Sequence, residues 1–356
     1  MSSFFKHLAL SGPLNSKLKI MIFIATEVIL IALAFTSNFV SAFFHSNFLD
    51  FDFFKSVATK NALKIVEIEK FFGLFFEQSL QKWTIENIGG WQFWNSYYAA
   101  AHPVVFILTI VFILVRGIHW STSHYNWTRV EQSDYSDLPI QSSYFVDGSK
   151  RKESLIKRLF FKRQVLKLNP LEQYRFLRNI YLISILFSVF GYILLPTMPP
   201  RLLNNCDFHN HNGKLLGGCF PQFNFIDTID KHGSLFFSWK DESVQVLNNP
   251  YAALPSQHAL VAAYVAIVWI IFLLSNSKSS GSNFKSKKSL VAFSALISLA
   301  CFYPLLTLFC IIVTANHFIF DAIAGFTILF SATLISLFLL SRSDNSYSKL
   351  SEDLPI

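Results

Sequence analysis

The chain has 356 residues, of which 52% are hydrophobic and 15% charged, with 40 phenylalanines and a mean hydropathy of +0.40. Length alone would suggest two soluble domains, but this composition excludes them and indicates one bundled integral membrane domain. The formal charge of +8 does not argue for a nucleic-acid partner, because the basic residues lie between apolar runs, where they act as topology determinants.

The predicted elements make an all-α, six-transmembrane-helix bundle. Residues 1–44 hold a short polar start with Lys6, Lys17 and Lys19, then an apolar run from Ile20 to Phe44. That run carries Glu27 and lacks a small-residue cleavage site, so it reads as an uncleaved anchor. Residues 45–92 are mixed, and their apolar residues recur at helical spacing, which predicts an amphipathic helix lying in the membrane interface. Trp83, Trp91 and Trp94 flank the next span as an aromatic belt does. The five later spans, within 93–340, are Phe93–Val115, Asn179–Leu195, Ser256–Leu274, Leu290–Val313 and His317–Leu340. Pro304 should kink the fifth of the six. The loops are a basic segment at 116–178, a polar loop at 196–255 and a Ser/Lys stretch at 275–288, and a polar tail occupies 341–356.

Charge is distributed unevenly over these loops. Segment 116–178 carries twelve basic residues against six acidic, and the 275–288 loop has lysines and no acid. On the other side, 45–92 holds five basic and six acidic residues, and 196–255 holds four and five. The positive-inside rule therefore predicts cytosolic termini and a cytosolic 116–178 segment. The end of span three, the start of span four and the junction of spans five and six then share the opposite face.

Three stretches meet there: Pro196-Thr197-Met198-Pro199-Pro200-Arg201, Asn249-Pro250-Tyr251 through Pro255-Ser256-Gln257-His258, and Asn316-His317 through Asp321. His317 and Asp321, four apart, are expected on one helix face, with the carboxylate fixing the imidazole tautomer. Intramembrane ionisable residues cost about 2.5–3.5 kcal/mol each on insertion scales, so they are rare. Alone, each element also fits a structural role: a helix stop, a helix cap, an interface histidine. Together they supply what phosphoryl transfer needs. Arg201 offers a planar fork for phosphate oxygens. Ser256 reads as the N-cap of a helix whose free N–H groups face an anion. Two histidines and an aspartate suffice for attack on phosphorus and protonation of the leaving oxygen. His102, with Tyr98 one turn before it, is either a substrate contact or a bond across helices. No metal or cofactor is needed.

Pro255-Ser256-Gln257-His258 with His317-x-x-x-Asp321 resembles the second and third signature motifs of the type 2 phosphatidic acid phosphatase superfamily. Within it, Pro196–Arg201, Asn249–His258 and Asn316–Gly325 resemble the inositolphosphotransferase branch, which includes the fungal inositol phosphorylceramide synthases; the likeness covers roughly 65–340. The resemblance implies a six-span bundle of the lipid phosphatase/phosphotransferase type, with His317 as the nucleophile forming a phosphohistidine. Asp321 would orient and charge-stabilise it, and His258 would be the general acid. Arg201, Ser256, His102 and Tyr251 are the candidate substrate-binding residues.

The sequence also departs from the superfamily. Cys310 and Ile311 stand where the third motif has Ser-Arg, and the first motif's Lys-x6-Arg-Pro is absent, with Pro-Pro-Arg201 near its place. Fewer cations suit a phosphodiester better than a dianionic monoester.

The main expectation is therefore transfer of a phosphoryl-alcohol headgroup, such as inositol phosphate, from a phospholipid to a lipid hydroxyl such as a sphingolipid's. A lipid phosphate phosphatase is the close alternative, and a non-catalytic scaffold or transporter the distant one. The expected partners are these lipids and the bilayer, with no nucleic acid. The expected location is the endoplasmic reticulum or Golgi with a luminal site. In an oxidising compartment Cys206 and Cys219, 13 residues apart, would bridge, worth about 3 kcal/mol; free thiols are the alternative. His209 and His211 beside Asp207 read as a polar loop rather than a metal site, and Asn126-Trp127-Thr128 should stay unglycosylated on the cytosolic side.

Overall fold

The computed structural model describes residues 16–36, 40–41, 43, 50–134, 165–209, 213–235, 238, 249–279 and 287–352. Among these the chain is helical, with two isolated β-bridges, Thr197 to Ala252 and His209 to Leu215, and no strand. His211 and the centre of the basic segment lie outside the described residues.

Five stretches are long and apolar enough to cross a membrane: Trp91–Ser123, Pro170–Leu194, Gln257–Ser277, Ser289–Val313 and Ile319–Arg342. This is an all-α polytopic membrane protein. Helix α1 (Ser16–Phe35) stands where a sixth span was expected, but its apolar stretch, Met21–Ala32, is shorter than those five.

Local chemistry sets several boundaries away from the sequence expectation. The third span starts at Pro170, not Asn179, forming α6 (Pro170–Leu194). Its start is a capping box: Asn169 Oδ1 accepts from the Glu172 N–H at 2.9 Å, and Glu172 Oε2 accepts from the Asn169 N–H at 3.1 Å. The extra turns carry Arg178 to the buried Glu27 of α1, whose other oxygen accepts from the Tyr174 hydroxyl at 3.0 Å. A buried carboxylate is tolerated in such a place only when paired, so this trio docks α1 on α6.

Residues 45–92 hold two helices, α2 (Phe51–Phe71) and α3 (Glu77–Asn87). Asp50 caps α2, accepting from the N–H groups of Asp52 and Phe53. The apolar face of α2 (Phe54, Ala58, Ala62, Ile65 and Val66) is covered by protein, not lipid: it packs on Met198, Leu202, Phe223 and Tyr251 of the 196–255 loop. Of the expected aromatic belt, Trp83 is exposed, while Trp91 is buried against the His232 ring.

The second span is built from α4 (Trp91–Ser96), a π-helical turn (Tyr97–Ala101) and α5 (His102–Asp134). It packs with α6, α9 (Gln257–Ser279) and α11 (Ile319–Glu352) around Phe106, Tyr181, Leu260, Tyr264 and Leu329. Close packing rather than removal from water holds such helices together in lipid. Helix α10 (Lys287–Val313), with Pro304 inside, lies against α9 and α3. Two short helices, α7 (Pro200–Leu203) and α8 (Thr228–His232), lie in the 196–255 loop, and a disulfide joins Cys206 to Cys219 there.

Candidate active site

The three stretches expected to converge do so. Thr197 and Ala252 pair as a parallel bridge, with the Thr197 N–H donating to Tyr251 O at 2.7 Å and the Ala253 N–H to Thr197 O at 3.3 Å. The Arg201 N–H donates to Ala315 O at 2.8 Å, and the Ser256 N–H to Asp321 O at 2.9 Å. The first, second and third stretches are thus laced by their backbones. Ala315 reaches this arrangement at φ +53°, a left-handed conformation that costs a side-chain-bearing residue about 1–2 kcal/mol.

His317 is not on a helix face, as its spacing from Asp321 suggested. It lies in the coil that follows α10, and α11 begins at Ile319. The pair still forms, because Asp321 sits in the first turn of α11 and folds back: its Oδ2 accepts from the Phe318 N–H at 2.9 Å and lies 3.5 Å from His317 Nδ1. His317 Nδ1 also lies 2.9 Å from Ala253 O. A carbonyl only accepts, so Nδ1 carries the proton and Nε2 is left with a lone pair.

His258 stands in the first turn of α9, with its ring centroid 5.6 Å from that of His317. Tyr98 stacks on it at 4.1 Å, and a backbone hydrogen bond to Tyr98 fixes it further. The π-helical turn prepares that carbonyl. Cys310 Sγ donates to Trp94 O at 3.3 Å and accepts from the Tyr98 backbone, so the thiol is inserted into the helical hydrogen-bond ladder. Cys310 therefore keeps a polar role at the position where the superfamily motif has serine. His102 bonds through Nδ1 to the Tyr303 hydroxyl at 2.8 Å, and its ring lies 5.1 Å from that of His258.

Arg201, His258, His317, Asn249, Gln257 and Asn316 line one cavity together with Tyr98. Arg201 is buried and paired with Asp227: Nη1 lies 2.7 Å from Asp227 Oδ2. Asp227 Oδ1 meanwhile caps α8, accepting from the N–H groups of Ile229 and Asp230. Ser256 is fully buried, and its Oγ accepts from the Ala259 N–H at 3.3 Å, the expected N-cap. Neither Ser256 nor His102 is among the cavity-lining residues. Tyr251 turns away from the cavity altogether, donating to Leu216 O at 2.9 Å with its ring edge-on to Phe54. His209 bonds the Asp207 backbone carbonyl.

A family model described as PAP2 superfamily matches residues 164–278 and 288–335, which include His258, His317, Asp321 and Arg201. Over this stretch, a little under half of its length, the chain is similar to the PAP2 superfamily. Members are phosphatases or phosphotransferases, and the chain is an enzyme of that kind. Comparison with curated proteins and with solved structures finds no match.

Nothing in the sequence marks Asp227 as the partner of Arg201, since 26 residues of loop separate them. It also did not reveal Tyr303, or Cys310 as a bridging group.

Proposed function

We propose that the protein is a membrane phosphotransferase that moves a phosphoryl-alcohol headgroup from a phospholipid to a lipid hydroxyl, through a phosphohistidine at His317. The observation that carries this is the fixed tautomer of His317, whose Nδ1–H is committed to Ala253 O beside Asp321. The Nε2 lone pair attacks phosphorus, and the bond from phosphorus to the leaving oxygen breaks. His258, entering protonated, gives its proton to that oxygen. In the second half the acceptor hydroxyl attacks the phosphohistidine, His258 takes the hydroxyl proton, and the P–N bond breaks. Asp321 balances the positive charge that the phosphorylated imidazole carries.

The charge of the cavity favours a phosphodiester. Among the described residues its one guanidinium, Arg201, is paired with Asp227, so a monoanion is better matched than a dianionic monoester. The carboxamides of Asn249, Gln257 and Asn316 in the same cavity suit a polyol headgroup such as inositol phosphate, and a sphingolipid is the acceptor we favour. The basic 116–178 segment on one side, and the disulfide-bearing loop on the other, support a cytosolic basic segment and a site facing the lumen of the endoplasmic reticulum or Golgi.

The test uses purified wild type and His317→Ala with labelled phosphatidylinositol, with and without ceramide. Label in a new inositol-phosphoryl lipid, requiring both ceramide and His317, is the expected result. Ceramide-independent phosphate release from phosphatidic acid would replace the transferase reading with a phosphatase.

A further inference from the structure

At the start of α11 the N–H groups of Phe318, Ile319 and Phe320 lack helical partners, as the first N–H groups of every helix do. Each is taken by a different carboxyl group. Phe318 donates to Asp321 Oδ2 at 2.9 Å, Ile319 to Glu77 Oε1 at 3.1 Å, and Phe320 to Glu69 Oε1 at 2.7 Å. Glu69 and Glu77 come from α2 and α3, and both are completely buried. Their remaining oxygens, both Oε2 atoms, are buried without a hydrogen-bond donor, and the two carboxyl groups are near neighbours. Two ionised carboxylates buried side by side repel each other, and a helix N-terminus offers only about half a positive charge to balance three carboxylates. A single proton held between the glutamates would satisfy both orphan oxygens.

We propose that Glu69 and Glu77 are positioning residues of the transfer site: a shared proton joins them into a monoanionic clamp that seats the first turn of α11 and so sets Asp321 against His317. The proposal rests on the reading of His317 as nucleophile. Among the described residues no cation faces the pair. The charged group opposite them on α11 is Asp321, and Lys70, next to Glu69 on α2, turns to the Phe75 ring. Burial first, then Glu77, pushes the Glu69 carboxyl up to about 10. The folded state thus holds a proton that the unfolded chain releases near pH 4.5. Stability from this source is full below that pH and declines as pH rises toward 10.

The experiment compares wild type, Glu69→Gln and Glu69→Leu as full chains in detergent. Glutamine replaces the bridging proton with an N–H donor and still accepts from Phe320, so kcat should stay within about threefold of wild type. Leucine leaves the Phe320 N–H unpaired and frees the turn, and kcat should fall about 10–100-fold with KM little changed. Thermal unfolding measured from pH 5 to 10 should decline in wild type and be flatter in Glu69→Gln. Equal loss of kcat in both variants would overturn the proposal, as would wild-type activity in Glu69→Leu or identical unfolding slopes in wild type and Glu69→Gln. The unfolding arm needs no substrate. If wild type transfers nothing, the function reading fails, and the clamp is still decided by those slopes.

Discussion

His317 Nδ1 is held 2.9 Å from the Ala253 carbonyl oxygen, a backbone atom 64 residues earlier in the chain. A carbonyl cannot be titrated or rotated away, so the tautomer is set by the lacing of the second and third stretches and not by Asp321 alone. Asp321, 3.5 Å from the same nitrogen, is then free for electrostatic work.

That division predicts the behaviour of Asp321→Asn. The amide oxygen can still accept from the Phe318 N–H, so the turn should fold, while the negative charge opposite the imidazole is lost. We expect kcat to fall about 10²–10³-fold with little change in KM, measured as steady-state turnover alongside alkali-quenched phosphoenzyme. A variant that lost KM and kept kcat would show that Asp321 binds substrate instead.

Helices α9 and α11 approach so closely that a Cβ on Gly325 would lie 2.5 Å from Ser256 O. The obstructing atom is backbone, so it cannot swing aside. Gly325→Ala should cost about 1–3 kcal/mol, seen as a lower Tm in detergent, and should reduce activity because Ser256 caps the helix whose first turn carries His258. An unchanged Tm would mean that the two helices separate without cost.

Several features of this site were legible in the sequence, and the reasons are physical. His258, His317 and Asp321 stand out because ionisable groups next to apolar runs are expensive, and a shared face follows from counting spans. Pro255-Ser256 announces a helix start, and Ser256 caps it. The Asn169-Pro170-x-Glu172 box was equally readable, and it overrides the hydropathy boundary at Asn179. The helical placing of His317 failed because Asp321 caps the helix from within it, which leaves its partner outside. Glu69 and Glu77 read as the polar side of an amphipathic helix, because their partners lie 251 and 242 residues away. The π-helical turn is met by the Cys310 thiol, which arrives from 216 residues downstream.

Cys310 supports a third prediction. Its removal in Cys310→Ala would take the thiol donor from Trp94 O, which also accepts from the Tyr97 N–H, and the acceptor from the Tyr98 backbone, a cost of about 1–3 kcal/mol for buried groups. The Tyr98 ring and backbone that hold His258 would loosen, so kcat should fall as well. Cys310→Ser keeps both a donor and an acceptor and should restore most of the activity. Turnover and Tm measured on the two variants test this, and equal defects in both would show that thiol packing rather than hydrogen bonding is what matters.

The Arg201–Asp227 pair yields the prediction that bears most directly on substrate choice. Its charges are buried and 2.7 Å apart, so deleting one leaves the other uncompensated, commonly at about 3–5 kcal/mol. Asp227→Asn is the informative change, because the amide oxygen can still cap α8 through the N–H groups of Ile229 and Asp230. The guanidinium would then face the cavity with its full charge. A dianionic phosphate monoester gains more from that charge than a phosphodiester does. The ratio of kcat/KM for phosphatidic acid to that for phosphatidylinositol should therefore rise, with total activity lowered. The ratio, unlike either rate alone, is insensitive to the fraction of protein that folds. A ratio equal to that of wild type would mean that Asp227 supports Arg201 only mechanically, and that the preference for a diester has to come from the headgroup side of the cavity.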